Sequence, residues 1–241
     1  MIQMVDSLMK GFAARSDMYE IRVNSREFMN YVLGEWIGLN EVEQKTVSRL
    51  IDRMHKMPRP EFVGLIEASI PPSLRDQGAA EKLLNVLQAK TLADLPEELQ
   101  QSAACSKLKE IIERIEQAGV TNLRFDISLM RGLDYYTDFV FEVFDTNPEN
   151  NRAMFGGGRY NGLVGLFGVE PIPTIGFAIS DVVLMEFLKG WNLVPDAKLA
   201  TEVVVIPIGE VEQAVMKVTA ELREMGVNTA IDLTARKTEK Q

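Results

Sequence analysis

The sequence contains one cysteine and one histidine in 241 residues. With Cys105 alone, no internal disulfide can form, and this cysteine usage fits a reducing, cytoplasmic compartment. With His55 alone, a metal site or acid–base pair built from several histidines is excluded, and no metal ligand set is expected. Basic charge is scarce as well. Against 35 Asp and Glu stand 26 Lys and Arg, a net charge of −9, so no global positive field draws the chain to nucleic acid or to a membrane, while a local basic patch stays open. No apolar run approaches the ~20 residues of a bilayer-spanning helix. The opening MIQMVDSLMKGF reads as an amphipathic helix and lacks a signal peptide's basic start and apolar run. What is present, 46% hydrophobic and 25% charged residues, suits an ordinary globular protein with one large domain or two smaller ones.

Ile2, Val5, Leu8, Met9 and Phe12 recur at helical spacing, and MYEIRV (18–23) alternates like a short strand. NSREFMNYVL follows, with Asn24 as N-cap and Glu27 three residues on, a capping-box pattern. From 40 to 118 strand-like alternation is nearly absent. Asn40 and Glu43 open a helix expected to run to about His55, where Pro58 and Pro60 break it, and further helices are predicted around 61–69, 79–89 and 102–118. His55, at a Met- and Lys-rich helix end, is expected to be a surface or packing residue without chemistry. After 120 the pattern turns to strands: NLRFDISL, YYTDFVFEVF, a glycine-rich FGGGRYNGLVGLFG, and PTIGFAIS opening into the helical DVVLMEFLKG. From about 199, ATEVVVIPIG, EVEQAVMKVTAELREMG and VNTAID spell one β-α-β unit with parallel strands.

Two stretches carry chemistry. LMRGLDYYTDFVFEVF (129–144) sets Arg131, Asp134, Tyr135, Tyr136 and Asp138 against an alternating run. Strict alternation puts Tyr136, Asp138, Val140 and Glu142 on one face, suited to a polar cavity, and Tyr135, Thr137, Phe139 and Phe141 on the other, suited to the core. A buried Arg131 must meet a carboxylate or phosphate, and an ion pair with Asp134 that only fixes the turn is an equally open reading. GGGRYNG (156–162) offers glycines that let a ligand approach the backbone, or simply a bulged hairpin end. It lacks the spacing of a dinucleotide fingerprint.

Taken together, RGLDYYT…VFEVF, GGGRYNGLVGLFG and IPTIGFAIS resemble, in this order, the catalytic domain of the histidyl-tRNA synthetases, a class II aminoacyl-tRNA synthetase family. The first two stretches are similar to that family's two histidine-specific motifs, and the third falls where class II enzymes carry their third shared motif. The resemblance implies an α+β fold: part of an antiparallel-sheet catalytic domain (1–39 and 119–198) with a helical insertion (40–118), then the start of an α/β anticodon-binding domain (199–241). It implies ATP-dependent activation of histidine and transfer to its tRNA, Mg2+ accompanying ATP, and a homodimeric parent protein. By resemblance, Arg131 lies beside the α-phosphate and the histidine carboxylate as catalytic and ATP-binding residue. Tyr135 and Tyr136 line the histidine pocket, and Tyr160 closes it above a floor at Gly157 and Gly158.

The sequence departs from the family pattern in two ways. Where the third motif usually ends in Glu-Arg, its arginine stacking on adenine, this chain has Val182 and Val183. The first and second class II motifs are not found, so the chain is expected to be a fragment that begins after the second motif, stops inside the anticodon domain and is inactive alone. The alternatives are the non-catalytic, histidine-sensing regulatory subunit of ATP phosphoribosyltransferase, which resembles a synthetase, and a decayed reading frame.

Overall fold

The computed structural model describes residues 1–130, 135–196 and 200–234. Arg131 and Asp134 lie outside the described residues. The chain forms two units, Met1–Val194 and Pro195–Gln241.

In the first unit, α1 (Ile2–Gly11) buries Ile2, Val5 and Met9, the stripe its spacing predicts. β1 (Tyr19–Ser25) buries Tyr19, Ile21 and Val23. The next helix, α2 (Arg26–Tyr31), continues as a π-helical turn over Val32–Trp36. Its cap is Ser25, whose hydroxyl accepts from the Phe28 N–H at 3.2 Å, and not Asn24. Asn24 is held in the strand instead, because its side-chain amide donates to the Ile127 and Leu129 carbonyls at 3.1 and 3.2 Å.

Six helices follow. Asn40 opens α3 (Glu41–Ile51) with the expected capping box: Asn40 Oδ1 accepts from Val42 and Glu43 N–H, and Glu43 Oε2 accepts from Asn40 N–H at 2.8 Å. The helix stops short of His55, which falls in a separate 3-10 turn over Met54–Lys56. Extended backbone at Met57 and Pro58 then leads into α4 (Arg59–Ser69), as a residue before proline favours. α5 (Pro72–Arg75), α6 (Ala79–Val86) and α7 (Glu97–Gln100) precede α8 (Ala103–Gln117), which Ser102 caps by accepting from Cys105 N–H at 3.1 Å.

The sheet is assembled from β1 and four later strands, β2 (Leu123–Phe125), β3 (Phe139–Asp145), β4 (Phe155–Tyr160) and β5 (Thr174–Ile179), in the order β2-β1-β3-β4-β5. Only β1 and β2 are parallel, the other pairs being antiparallel. α9 (Asp181–Gly190) returns from β5, capped by Ser180. One face of the sheet carries Ile21, Val23, Phe141, Val143 and Phe155 into a continuous core with Val5, Phe28, Leu108 and Phe187 from the helices. The opposite face carries Asn24, Val140, Gly158 and Gly176.

In the second unit, β6 (Val203–Val205) and β7 (Thr229–Ile231) pair in parallel across α10 (Glu212–Glu224), as the β-α-β reading requires. The ladder is three residues long rather than the full ATEVVVIPIG run. Pro207 has no N–H to donate, and Gly209 turns into the left-handed region at φ 83°.

Candidate functional site

Cross-strand register defines the open face. Asn24 pairs with Val140, Val140 with Gly158 and Gly158 with Gly176, so one row of the sheet ends in two residues without side chains. The next row runs Arg22, Glu142, Gly156, Ala178. Directly opposite residues share a face, and these rows therefore form a shallow floor rimmed on the β1 side by larger groups.

Aromatic rings occupy the space that the glycines leave. A Cβ on Gly158 would lie 2.8 Å from Tyr136 Cδ1 and 2.5 Å from the Phe139 carbonyl, and one on Gly176 would lie 2.1 Å from the Tyr160 hydroxyl. Tyr136 and Tyr135 sit 4.6 Å apart by ring centroid, and Tyr160 meets them edge-on at 6.0 and 5.4 Å. Leu129, Tyr136 and Val140 form a small buried cluster separate from the main core, with Tyr135 and Tyr160 packed against it. Such edge-to-face contacts suit rings whose polar tips face outward while their bodies are buried.

The structure thus brings together Tyr135, Tyr136, Gly158 and Tyr160. It places Gly157 on the other face, where a Cβ would meet Phe141 and Phe177 of the core side. Tyr135 joins the tyrosines rather than the phenylalanines, because regular pairing with β1 begins at Phe139 opposite Ser25 and alternation does not extend back to 135. Asp138 likewise leaves the cavity face. It is buried, accepts from the Ser25 hydroxyl at 3.2 Å and pairs with Lys107 of α8 at 2.8 Å. Glu142 keeps its expected face, opposite Arg22. Asn24 reads from sequence only as a helix cap and Gly156 only as part of GGGRYNG, and Gly176 is not singled out. Their place on the floor follows from the strand register alone, which sets Asn24 opposite Val140, Gly176 opposite Gly158 and Gly156 opposite Glu142.

Charges gather at the β1 edge of this floor. Arg22 bonds Glu20, reaches Asp126 at 3.5 Å and lies 4.2 Å over the Phe144 ring. Asp126 accepts from the hydroxyl and N–H of Ser128, and His55 Nε2 lies 3.0 Å from that hydroxyl. With the Ser128 proton directed to the carboxylate, His55 donates to Ser128 and ties the 54–56 turn to the 126–128 segment. That geometry does not make a nucleophile–base pair. At the start of α9, Val182 is 59% exposed while Val183 packs into the core at 4%, so Val183 cannot cover a ligand. Among the described residues no three His, Cys, Asp or Glu side chains converge to hold a metal ion. A cavity of about 640 Å³ lies elsewhere, against β2 and α8, lined by Leu92, Cys105, Ile112 and Phe125 and by none of the tyrosines.

The sequence profile described as histidyl-tRNA synthetase matches residues 6–182. The histidine–tRNA ligase of Leptospira biflexa is 32% identical over 234 residues, 95% of this chain and 52% of that protein. That of Thermococcus kodakarensis is 40% identical over 204 residues, 80% of this chain and 46% of that protein. The chain spans about half the length of the curated relatives it matches. Among solved structures, a histidyl-tRNA synthetase from Nostoc sp. PCC 7120 superposes with a TM-score of 0.69 at 24% identity, over 98% of this chain and 57% of that one. A Bacillus halodurans protein described as an ATP phosphoribosyltransferase regulatory subunit/histidyl-tRNA synthetase gives 0.65 at 17% identity, over 98% and 59%. These two likenesses speak for the shared fold, a mixed α/β architecture on a mostly antiparallel sheet. With the profile spanning both the helical segment and the strands that carry the tyrosines and glycines, this chain belongs to the histidyl-tRNA synthetase family.

Proposed function

We propose that this chain is the histidine-binding part of a histidine–tRNA ligase, which activates histidine with ATP to histidyl-adenylate and passes it to its tRNA. The observation that carries the reading is the tyrosine cluster seated on Gly158 and Gly176 of the open sheet face. Phenol hydroxyls can hydrogen-bond an imidazole, and an analogue lacking a ring nitrogen would leave them unpaired. In this reading Tyr135, Tyr136 and Tyr160 contact histidine, Gly158 floors the pocket, and Gly157 contributes backbone alone. Arg131 enters next to Met130, beside the tyrosines in sequence, and its guanidinium stabilises charge on the α-phosphate during attack by the histidine carboxylate. ATP brings Mg2+ with it, the parent protein is a homodimer in the cytoplasm, and the second unit begins an anticodon-binding domain. The curated relatives, named as ligases, support this reading over a histidine-sensing regulatory subunit.

The test is single-turnover adenylate formation in the protein that carries this chain, with histidine binding followed by calorimetry. Arg131→Lys keeps the charge but loses the planar fork. It is expected to slow the chemical step by about two orders of magnitude, the scale of one lost electrostatic donor, with a smaller change in histidine affinity. An unchanged chemical step would leave Arg131 as a partner of Asp134 only.

A further inference from the structure

Lys107 stands on α8, in the helical segment, yet its ammonium reaches the strand entrance of the sheet. It pairs with Asp138 Oδ2 at 2.8 Å and with Glu27 of α2. The Glu27 contact is an exposed pair, with side chains 47% and 44% accessible, and such pairs contribute little. The Asp138 contact is different, because the carboxylate is only 7% accessible. Its other oxygen accepts from the Ser25 hydroxyl, and its backbone carbonyl accepts from Arg26 N–H at 2.9 Å. Among the described residues Lys107 is the one cation paired with Asp138. A carboxylate buried to this extent is strongly disfavoured without its cation.

Asp138 sits two residues after Tyr136. On the opposite flank, Thr137 N–H donates to the Arg159 carbonyl at 3.0 Å, and Asn161 N–H donates to the Thr137 hydroxyl at 3.2 Å. The 135–138 segment is therefore gripped by β4 through its backbone and by α8 through the Asp138 side chain. We infer that Lys107 is a positioning residue, which pins Asp138 from the helical segment and so fixes Tyr135 and Tyr136 over the glycine floor. The two hydrogen bonds to Asp138 and Glu27, the former the larger, also raise the Lys107 pKa, which keeps the pin charged. The functional consequence rests on the tyrosine cluster being a histidine site.

Five tyrosines, Tyr19, Tyr31, Tyr135, Tyr136 and Tyr160, make fluorine resonances of a 3-fluorotyrosine-labelled chain assignable by single Tyr→Phe changes. Lys107→Met is expected to shift or broaden the resonances of Tyr135, Tyr136 and Tyr160 while sparing Tyr19, and to weaken histidine binding roughly tenfold, about 1.4 kcal/mol. Lys107→Arg should restore both, and Glu27→Gln should change neither. If Lys107→Met does not fold, Lys107→Met with Asp138→Asn removes the stranded charge along with the cation, and the same three resonances should move. Undisturbed cluster resonances in a folded variant overturn the inference, whatever the histidine affinity. Moved resonances in a protein that binds no histidine even with Lys107 in place uphold the positioning role and overturn the histidine reading instead.

Discussion

The Tyr160 hydroxyl occupies the space that a side chain at residue 176 would need: a Cβ on Gly176 would stand 2.1 Å from it. The clashing atom is the tip of a half-buried side chain that can swing aside. Gly176→Ala is therefore expected to change stability by less than about 1 kcal/mol, within the usual range for a tolerated substitution, while displacing Tyr160 from the cluster. Histidine affinity should fall at least tenfold with the melting temperature nearly unchanged. Equal losses in both would mean that Tyr160 is bound into the fold rather than poised over a ligand.

Gly158 makes the opposite case. Its Cβ would meet the Phe139 carbonyl at 2.5 Å, and that carbonyl belongs to the neighbouring strand's backbone. Gly158→Ala should cost about 1–3 kcal/mol, the range for overpacking a rigid site, and lose histidine binding as well. Gly162→Ala, with nothing within 4 Å of its Cβ, is the control and should be silent. Chemical denaturation of the three proteins side by side checks the ordering.

Tyr19 is fully buried and donates to Asp6 Oδ1 at 2.6 Å, while Lys10 holds the other oxygen at 2.7 Å. Removing the donor leaves the buried carboxylate short of a partner, so Tyr19→Phe should cost about 1.5–3 kcal/mol, as for hydrogen bonds to charged groups. Burial first, then the Asp6 hydrogen bond, push the Tyr19 phenol well above its ordinary value. A group whose folded pKa is raised contributes stability that is complete below its unfolded pKa and is lost as pH climbs toward the folded one. Wild-type stability should thus fall as pH passes about 10, the ordinary phenol value, and Tyr19→Phe should show a shallower fall. Identical slopes in urea titrations at rising pH would contradict this.

Cys105 lies in the first turn of α8 and is 2% exposed. Burial raises its pKa, with Lys109 pulling weakly the other way. The thiol is therefore protonated at neutral pH and unreactive. Alkylation by iodoacetamide should be slow in the folded chain and fast after denaturation, and Cys105→Ser should leave histidine binding within a few-fold, since free cysteine acts mainly as a small apolar residue. Rapid labelling of native protein at pH 7 would refute the assignment.

Much of the site was legible because its signals are local. RGLDYYT and GGGRYNG declare tyrosines and glycines within two short stretches, and the antiparallel ladder between β3 and β4 brings Tyr135 and Tyr136 to Gly158 and Tyr160. The Asn40–Glu43 capping box was equally readable, since all of its atoms lie within four residues. The Asn24 cap was misjudged for the complementary reason. Asn24 and Ser25 are both good caps by type, and the choice between them falls to carbonyls more than a hundred residues away, at Ile127 and Leu129.

The sequence by itself determined element types and family membership, because periodicity and motif chemistry are properties of neighbouring residues. Only the tertiary structure decided which of those residues face the floor. Alternation predicts a face only where a strand is held by its neighbours, and the β1–β3 ladder begins at Phe139. Upstream of that point Tyr135 is free to join Tyr136 over Gly158, and Asp138 is turned toward Lys107. Lys107 belongs to a helix whose contact with the strand no local pattern encodes. A buried carboxylate requires a cation, and which cation supplies it is settled only when distant segments of the chain pack together.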